Sequence, residues 1–215
     1  MIFNHESPEY QEVHRTLGRD KNNGAYWYSY EICKNIIPNV KTSRNWVTIN
    51  VTGNCWDHSI FFVHNNLYPD IYSWVSDFND MVLVCSNPST VDKVKDYGKA
   101  IYLPLSIDTE YVKQFQRPKD KDICYFGRQE KRMFIDLGRR VTTLENMPRD
   151  KILPEVARYK KAFAIGRCAL EAKLLGCEIL PFDSRYPDPS IWEVLDNKDA
   201  AKLLQMELDR IDNQS

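Results

Sequence analysis

Ala164-Ile-Gly-Arg-Cys-Ala-Leu-Glu-Ala-Lys-Leu-Leu-Gly-Cys-Glu-Ile-Leu-Pro-Phe-Asp183 is the stretch on which the fold reading turns. It predicts an apolar run, a glycine turn, a helix, a second glycine and a buried strand ending at Pro181. That order is half of an α/β nucleotide-binding unit, with glycine where an anion can meet a helix N-terminus. Arg167 and Glu171 are four residues apart and so share one face of the first helical turns. The same spacing also suits an ordinary surface ion pair.

Working back from this stretch, Ile123-Cys-Tyr-Phe-Gly127 reads as a strand, followed by a basic helix over 129–137 and a strand over 141–144. A helix is expected over 153–159, and an amphipathic helix over 196–211 with Ala200, Leu203, Leu204, Leu208 and Ile211 on one stripe. Further upstream the pattern repeats without any repeat of sequence. A helix over 25–37 leads to strands at 46–52, 59–64 and 80–86; helices are expected at 68–78 and 88–98, and a strand over 100–108 breaks at Pro104. Residues 1–22 are polar, with a short strand hinted at 13–18.

Apolar strands alternating with helices favour a parallel α/β sheet. The polar, proline-bearing stretch 114–122 reads as a linker. The expected architecture is therefore α/β, with two small Rossmann-like parallel-sheet halves facing a cleft: an N-terminal acceptor-side domain over 1–113 and a C-terminal nucleotide-binding domain over 123–215.

A chain of 215 residues with 43% hydrophobic and 12% aromatic content is an ordered globular protein. Its net charge of −1 excludes a global attraction to nucleic acid or acidic membranes. No run approaches the ~18 apolar residues of a membrane span, and the start lacks a signal-peptide profile. Cys33, Cys55, Cys85, Cys124, Cys168 and Cys177 form no CxxC pair and read as structural thiols of a reducing compartment. A cytoplasmic location without a membrane span is expected.

Four segments together resemble a nucleotide-sugar glycosyltransferase of the GT-B fold, most similar to the retaining family-four type. Asp80-Met-Val-Leu-Val-Cys-Ser86 with Ile101-Tyr-Leu-Pro-Leu-Ser-Ile-Asp108 is similar to that family's strand ending in serine and its proline-bearing crossover. Tyr125-Phe-Gly-Arg128, with Lys131 and Arg132 behind it, resembles the "V-G-R…K" opening of the donor domain. Gly166-Arg-Cys-Ala-Leu-Glu-Ala-Lys-Leu-Leu-Gly-Cys-Glu-Ile-Leu-Pro181 resembles the "G-x-x-x-L-E-A" donor motif, and Phe62-Val-His64 the strand whose terminal histidine lines the acceptor side. The likeness runs from about Gly24 onward in compressed form. It implies a ribose-hydroxyl contact for Glu171. The family's other glutamate would stand at position 163, where this chain has Phe163.

The chemistry follows from the residue types. Cleaving a sugar from a nucleoside diphosphate develops negative charge, which aimed cations and backbone N–H groups stabilise. Gly127, Arg128, Lys131 and Arg132, with Gly166 and Arg167, would form such a clamp without metal or other cofactor. A solvated helix start is the plainer account of 129–132. His64 is the candidate catalytic residue, able to orient or deprotonate an acceptor hydroxyl. Gly24, in a loop feeding a helix, and Tyr26, among Trp27, Tyr28 and Tyr30, are acceptor-side candidates; core packing explains the same rings. Lys41 and Arg44 with those rings could also suit nucleic acid. Asp57 and His58 form a tempting dyad that reads as a surface loop. His5 and His14 have no ligand-spaced partner, so no metal site is expected.

The expected activity is transfer of a sugar from a nucleotide-diphosphate sugar to an unknown acceptor, whether glycan, protein or nucleic-acid base. The alternative is a degenerate protein that binds the nucleotide without turnover.

Overall fold

The computed structural model describes residues 2–4, 24–44, 46–49, 57–63, 77–132, 140–181, 188, 191 and 193–214. The chain forms an α/β protein of two compact units, each with its own largely parallel, Rossmann-like sheet. Ala25–Pro104 and Asn197–Ser215 belong to the first, together with an edge strand near the start; Leu105–Asp196 belong to the second.

In the first unit the elements are β1 (Ile2–Asn4), α1 (Gly24–Glu31), β2 (Trp46–Ile49), β3 (Ser59–Val63), β4 (Val82–Cys85), α2 (Pro88–Val94) and β5 (Lys99–Tyr102). The sheet order is β1-β2-β3-β4-β5, with β1 antiparallel to β2 and all other pairs parallel. Every residue of β3 and β4 is buried. Burial on both faces explains why these strands read as continuous apolar runs instead of alternating ones. Phe61, Val63, Leu83 and Cys85 pack with Met81 and Val94 in one core cluster.

The helix expected over 25–37 is wound in three ways. It is α-helical to Glu31, a π turn over Ile32–Ile36 and a 3-10 turn over Ile37–Asn39. Pro38 lies in the last turn, where its missing N–H and fixed φ disfavour further α-helix. Asn87 caps α2 by accepting from the Ser89 amide, with Pro88 in the first turn. The expected helix at 68–78 lies mostly, and the strand at 13–18 wholly, outside the described residues.

The closing helix Asn197–Asp212 packs in the first unit, burying Ala200, Ala201, Leu204, Leu208 and Ile211. Leu203, expected on the buried stripe, is 39% exposed, and Ala201 takes its place. Asn197 donates to buried Glu31, and Gln205 exchanges two hydrogen bonds with the Lys41 backbone.

The second unit continues with α3 (Thr109–Lys113), β6 (Lys121–Phe126), α4 (Gln129–Arg132), β7 (Thr142–Leu144), α5 (Arg149–Val156), β8 (Tyr159–Phe163), α6 (Arg167–Leu174) and β9 (Glu178–Leu180). Its sheet order is β7-β6-β8-β9, all parallel. The chain steps from β6 to one side, then returns past it to β8 and β9. The reversal lies between β6 and β8.

The segment expected as a linker, 114–122, lies within the second unit, whereas the division falls between Pro104 and Leu105. Its polar composition has another cause. Gln116 and Lys119 donate to the Leu174 and Leu175 carbonyls at the end of α6, and Asp120 holds Arg158 through both carboxylate oxygens. The last carbonyls of a helix lack intrahelical donors, so polar side chains are required there. Gly176 (φ 84°) completes that end: its N–H donates to Lys173 and that of Cys177 to Ala172, the paired bonds of a Schellman cap.

Cys33, Cys85, Cys124 and Cys177 are buried free thiols. Burial pushes the Cys85 and Cys124 thiols up to about 12, which keeps them unreactive. Among the described residues no helix is long and apolar enough to cross a membrane.

Candidate functional site

In open α/β sheets the ligand crevice lies beyond the carboxyl ends of the strands where the order reverses. Here that point is the end of β6 and β8, which are paired with Tyr125 opposite Phe163. The two glycine-bearing segments singled out from the sequence, Gly127-Arg128 and Gly166-Arg167, leave these neighbouring strands.

At the end of β6, Tyr125 is 1% exposed and folds back to donate from its hydroxyl to the Arg128 carbonyl at 2.6 Å. A Cβ on Gly127 would stand 2.6 Å from that hydroxyl oxygen. Glycine is required there because the tyrosine fills the space a side chain would need.

At the end of β8, Gly166 has φ 56° and ψ −134°, a conformation open essentially to glycine alone. The turn starts α6, and the Gly166 carbonyl accepts from Ala169 and Leu170. The first amides of a helix have no acceptor inside it and carry the positive end of its dipole.

Arg167 and Glu171 meet at 3.0 Å, as their spacing anticipates. They are not a surface pair: their side chains are 11% and 5% exposed. Arg149, the first residue of α5, joins them, its Nη2 lying 2.7 Å from the same Glu171 Oε1. The Arg149 guanidinium also lies 4.9 Å from the centre of the Tyr111 ring, which meets Phe115 edge-on. Burial pushes the Tyr111 hydroxyl up, against the opposing pull of Arg149. Two guanidiniums thus converge on one carboxylate oxygen in a mostly buried cluster that includes the first turn of α6.

The rest of the expected clamp is placed differently. Arg132 is held by Glu145, which follows β7, through a bidentate pair at 2.9 and 2.7 Å, and these bonds push the guanidinium pKa further up. Arg128 is exposed. Lys131 lies in α4, with its side chain outside the described residues. Gly24 opens α1, and the Tyr26 side chain and all of His64 also lie outside the described residues.

Comparison with family models, curated proteins and solved structures found no match. The reading of this site therefore stands on its residues alone.

Arg149 and Tyr111 were missed from the sequence. Pro148 ahead of Arg149 and Asp150 is a helix-start signal that could have moved the expected helix from 153–159 to its observed start. No local pattern links Arg149 to Glu171, because their meeting depends on how α5 and α6 pack.

Proposed function

We propose that the second unit binds the diphosphate of a nucleotide-sugar and that the chain is a metal-independent glycosyltransferase. The observation supporting this reading is the convergence of Arg149 and Arg167 on Glu171 at the start of α6, which leaves the sheet beside its reversal point. Guanidiniums suit the oxygens of a phosphate, and a helix N-terminus adds oriented donors. In this reading Arg128 and Arg167 contact phosphate, while Glu171 holds Arg149 and Arg167 in place and offers its carboxylate to the ribose. The sugar, base and acceptor are left open. Buried free thiols support a reducing, cytoplasmic setting.

A second reading, nucleotide binding without transfer, is supported by Phe163. This half-buried ring ends β8 at the position where the resembled family carries a carboxylate for the sugar.

Thermal shift of the full chain with UDP, GDP and ADP tests the shared claim. Ligand at about 100 times its Kd adds roughly 2.7 kcal/mol, so a clear rise in Tm is expected with one of them. Arg128→Ala and Arg167→Ala should abolish it. Melting curves unmoved by all three nucleotides at saturation would remove the donor-site reading. Mass spectrometry of released nucleotide across a panel of nucleotide-sugars then separates transferase from binder.

A further inference from the structure

A second set of groups lies in the first unit, at the opposite, N-terminal edge of its sheet. Asp80 and His58 immediately precede or nearly precede β4 and β3, Ser43 and Arg44 lie just ahead of β2, and Lys99 opens β5. Ser43 Oγ is 2.9 Å from His58 Nε2, and His58 Nδ1 is 2.6 Å from Asp80 Oδ2. The order hydroxyl, imidazole, carboxylate is that of an activated serine nucleophile.

The surroundings hold this chain of hydrogen bonds in place. Arg44 Nη2 lies 3.0 and 3.1 Å from the two Asp80 oxygens, and Lys99 Nζ lies 2.9 Å from Oδ1, so the carboxylate is aimed with Oδ2 at the imidazole. Arg44 is itself 1% exposed and is held from its other side by Asp212. Ser43 thus sits between two anchored residues, Arg44 and Lys41, the latter tied to Gln205. The His58 amide donates to Asn79, and the Asn79 amide donates to Asp57, which joins the loops carrying His58 and Asp80. His58 and Asp80 both have left-handed backbone, φ 54° and 55°. Such strain persists only where surrounding contacts impose it. Asp57, paired with His58 in the sequence reading, serves the loop, while Asp80 serves the imidazole.

We propose that Ser43, His58 and Asp80 form an acyl-transfer site in which Ser43 is the nucleophile, acting on small, unhindered esters. Asp80, ionised, accepts from Nδ1–H and leaves Nε2 to accept the Ser43 proton. Ser43 Oγ attacks the ester carbonyl while His58 takes that proton. The tetrahedral species expels the alcohol, which leaves with the proton from His58. Water, deprotonated by His58, then attacks the acyl-serine; carboxylic acid departs and Ser43 regains its proton. The sum is ester plus water to acid plus alcohol. Ser43 and His58 are both exposed, His58 by 47%, so a small, unhindered ester reaches them directly. Asp80 touches no reacting atom and is a positioning residue.

The test uses the intact chain with a fluorophosphonate probe, peptide mapping and p-nitrophenyl acetate hydrolysis. Ser43 is expected to carry the probe, and Ser43→Ala, an exposed change that leaves the fold intact by circular dichroism, to lose both label and ester turnover. His58→Asn, suited to a left-handed backbone, should slow labelling about 100-fold, within the usual range for a general base. Asp80→Asn should slow labelling, and Asp80→Glu, which keeps the carboxylate, should restore it. No label on Ser43, equal labelling of His58→Asn, or ester turnover unchanged in Ser43→Ala each overturns the proposal. None of these outcomes bears on nucleotide binding.

Discussion

Arg149 Nη2 and Glu171 Oε1 face each other at 2.7 Å, with side chains 6% and 5% exposed. Removing the carboxylate takes away a group that both guanidiniums contact. Glu171→Leu is therefore expected to lose about 3–5 kcal/mol, the usual cost of stranding a buried charge. Arg149→Met with Glu171→Leu should lose less than Glu171→Leu alone, because Arg167 at 11% exposure can turn to water whereas Arg149 is buried. Urea unfolding of the two variants decides it. A double variant no more stable than Glu171→Leu would mean that Arg149 does not depend on Glu171.

Gly127 and Tyr125 make a second coupled pair. Gly127→Ala places a methyl 2.6 Å from the tyrosine hydroxyl and 3.0 Å from the ring carbon that bears it. The ring is 1% exposed and its hydroxyl is bonded to Arg128, so it cannot simply swing away. A loss of about 1–3 kcal/mol is expected for this overpacking. Tyr125→Phe removes the nearest atom, so Gly127→Ala should cost less in that background. The double-mutant cycle measures this coupling directly, and strict additivity would count against the clash.

How much of this was legible in the sequence depended on the range of each interaction. β3 and β4 were readable because burial on both faces produces uninterrupted apolar runs, and Arg167 with Glu171 because helical spacing is local. Gly166 was readable as a turn and Gly127 as the end of a strand, and sheet order then placed them after neighbouring strands. The unit boundary was not readable: polarity at 114–122 comes from capping a distant helix end, while the division near Pro104 and the return of the closing helix to the first unit are tertiary facts. Arg149 with Glu171, and Ser43 with His58 and Asp80, meet only after strands far apart in sequence have paired. The closing helix shows the limit of a stripe: replacing Leu203 with Ala201 on the buried face is a small rotation that periodicity does not resolve.

Gly166 and Gly176 both have positive φ, at opposite ends of α6, yet should respond differently to substitution. Gly166 combines φ 56° with ψ −134°, and a Cβ there would meet nothing closer than Leu105 at 3.9 Å. The cost of Gly166→Ala is therefore backbone strain, about 1–3 kcal/mol. Gly176 occupies a helix C-cap position that asparagine also fills in other proteins. Gly176→Asn should lose less than Gly166→Asn in thermal unfolding. Equal losses would show that the turn before α6 relaxes without penalty.

Asp80 sets an acid limit on the first unit. Burial pushes its carboxyl up, but hydrogen bonds from Lys99, His58 and Arg44 outweigh this and bring it down to about 2, from an ordinary value of 3.8. A carboxyl depressed in the folded state binds its proton more readily when unfolded, so its stabilisation is complete above about pH 4 and is lost as pH falls toward 2. The wild-type chain should therefore lose stability in that window more steeply than Asp80→Asn. At neutral pH the variant should be weaker by about 1.5–3 kcal/mol, the scale of hydrogen bonds to charged groups. Salt should erase only part of this difference: Lys99 is 39% exposed and is screened, whereas Arg44 is 1% exposed and is not. Unfolding free energies at pH 2.5, 4 and 7, at low and high salt, test both statements. Parallel acid profiles for wild type and variant would place the neutralisation of Arg44 on Asp212 alone.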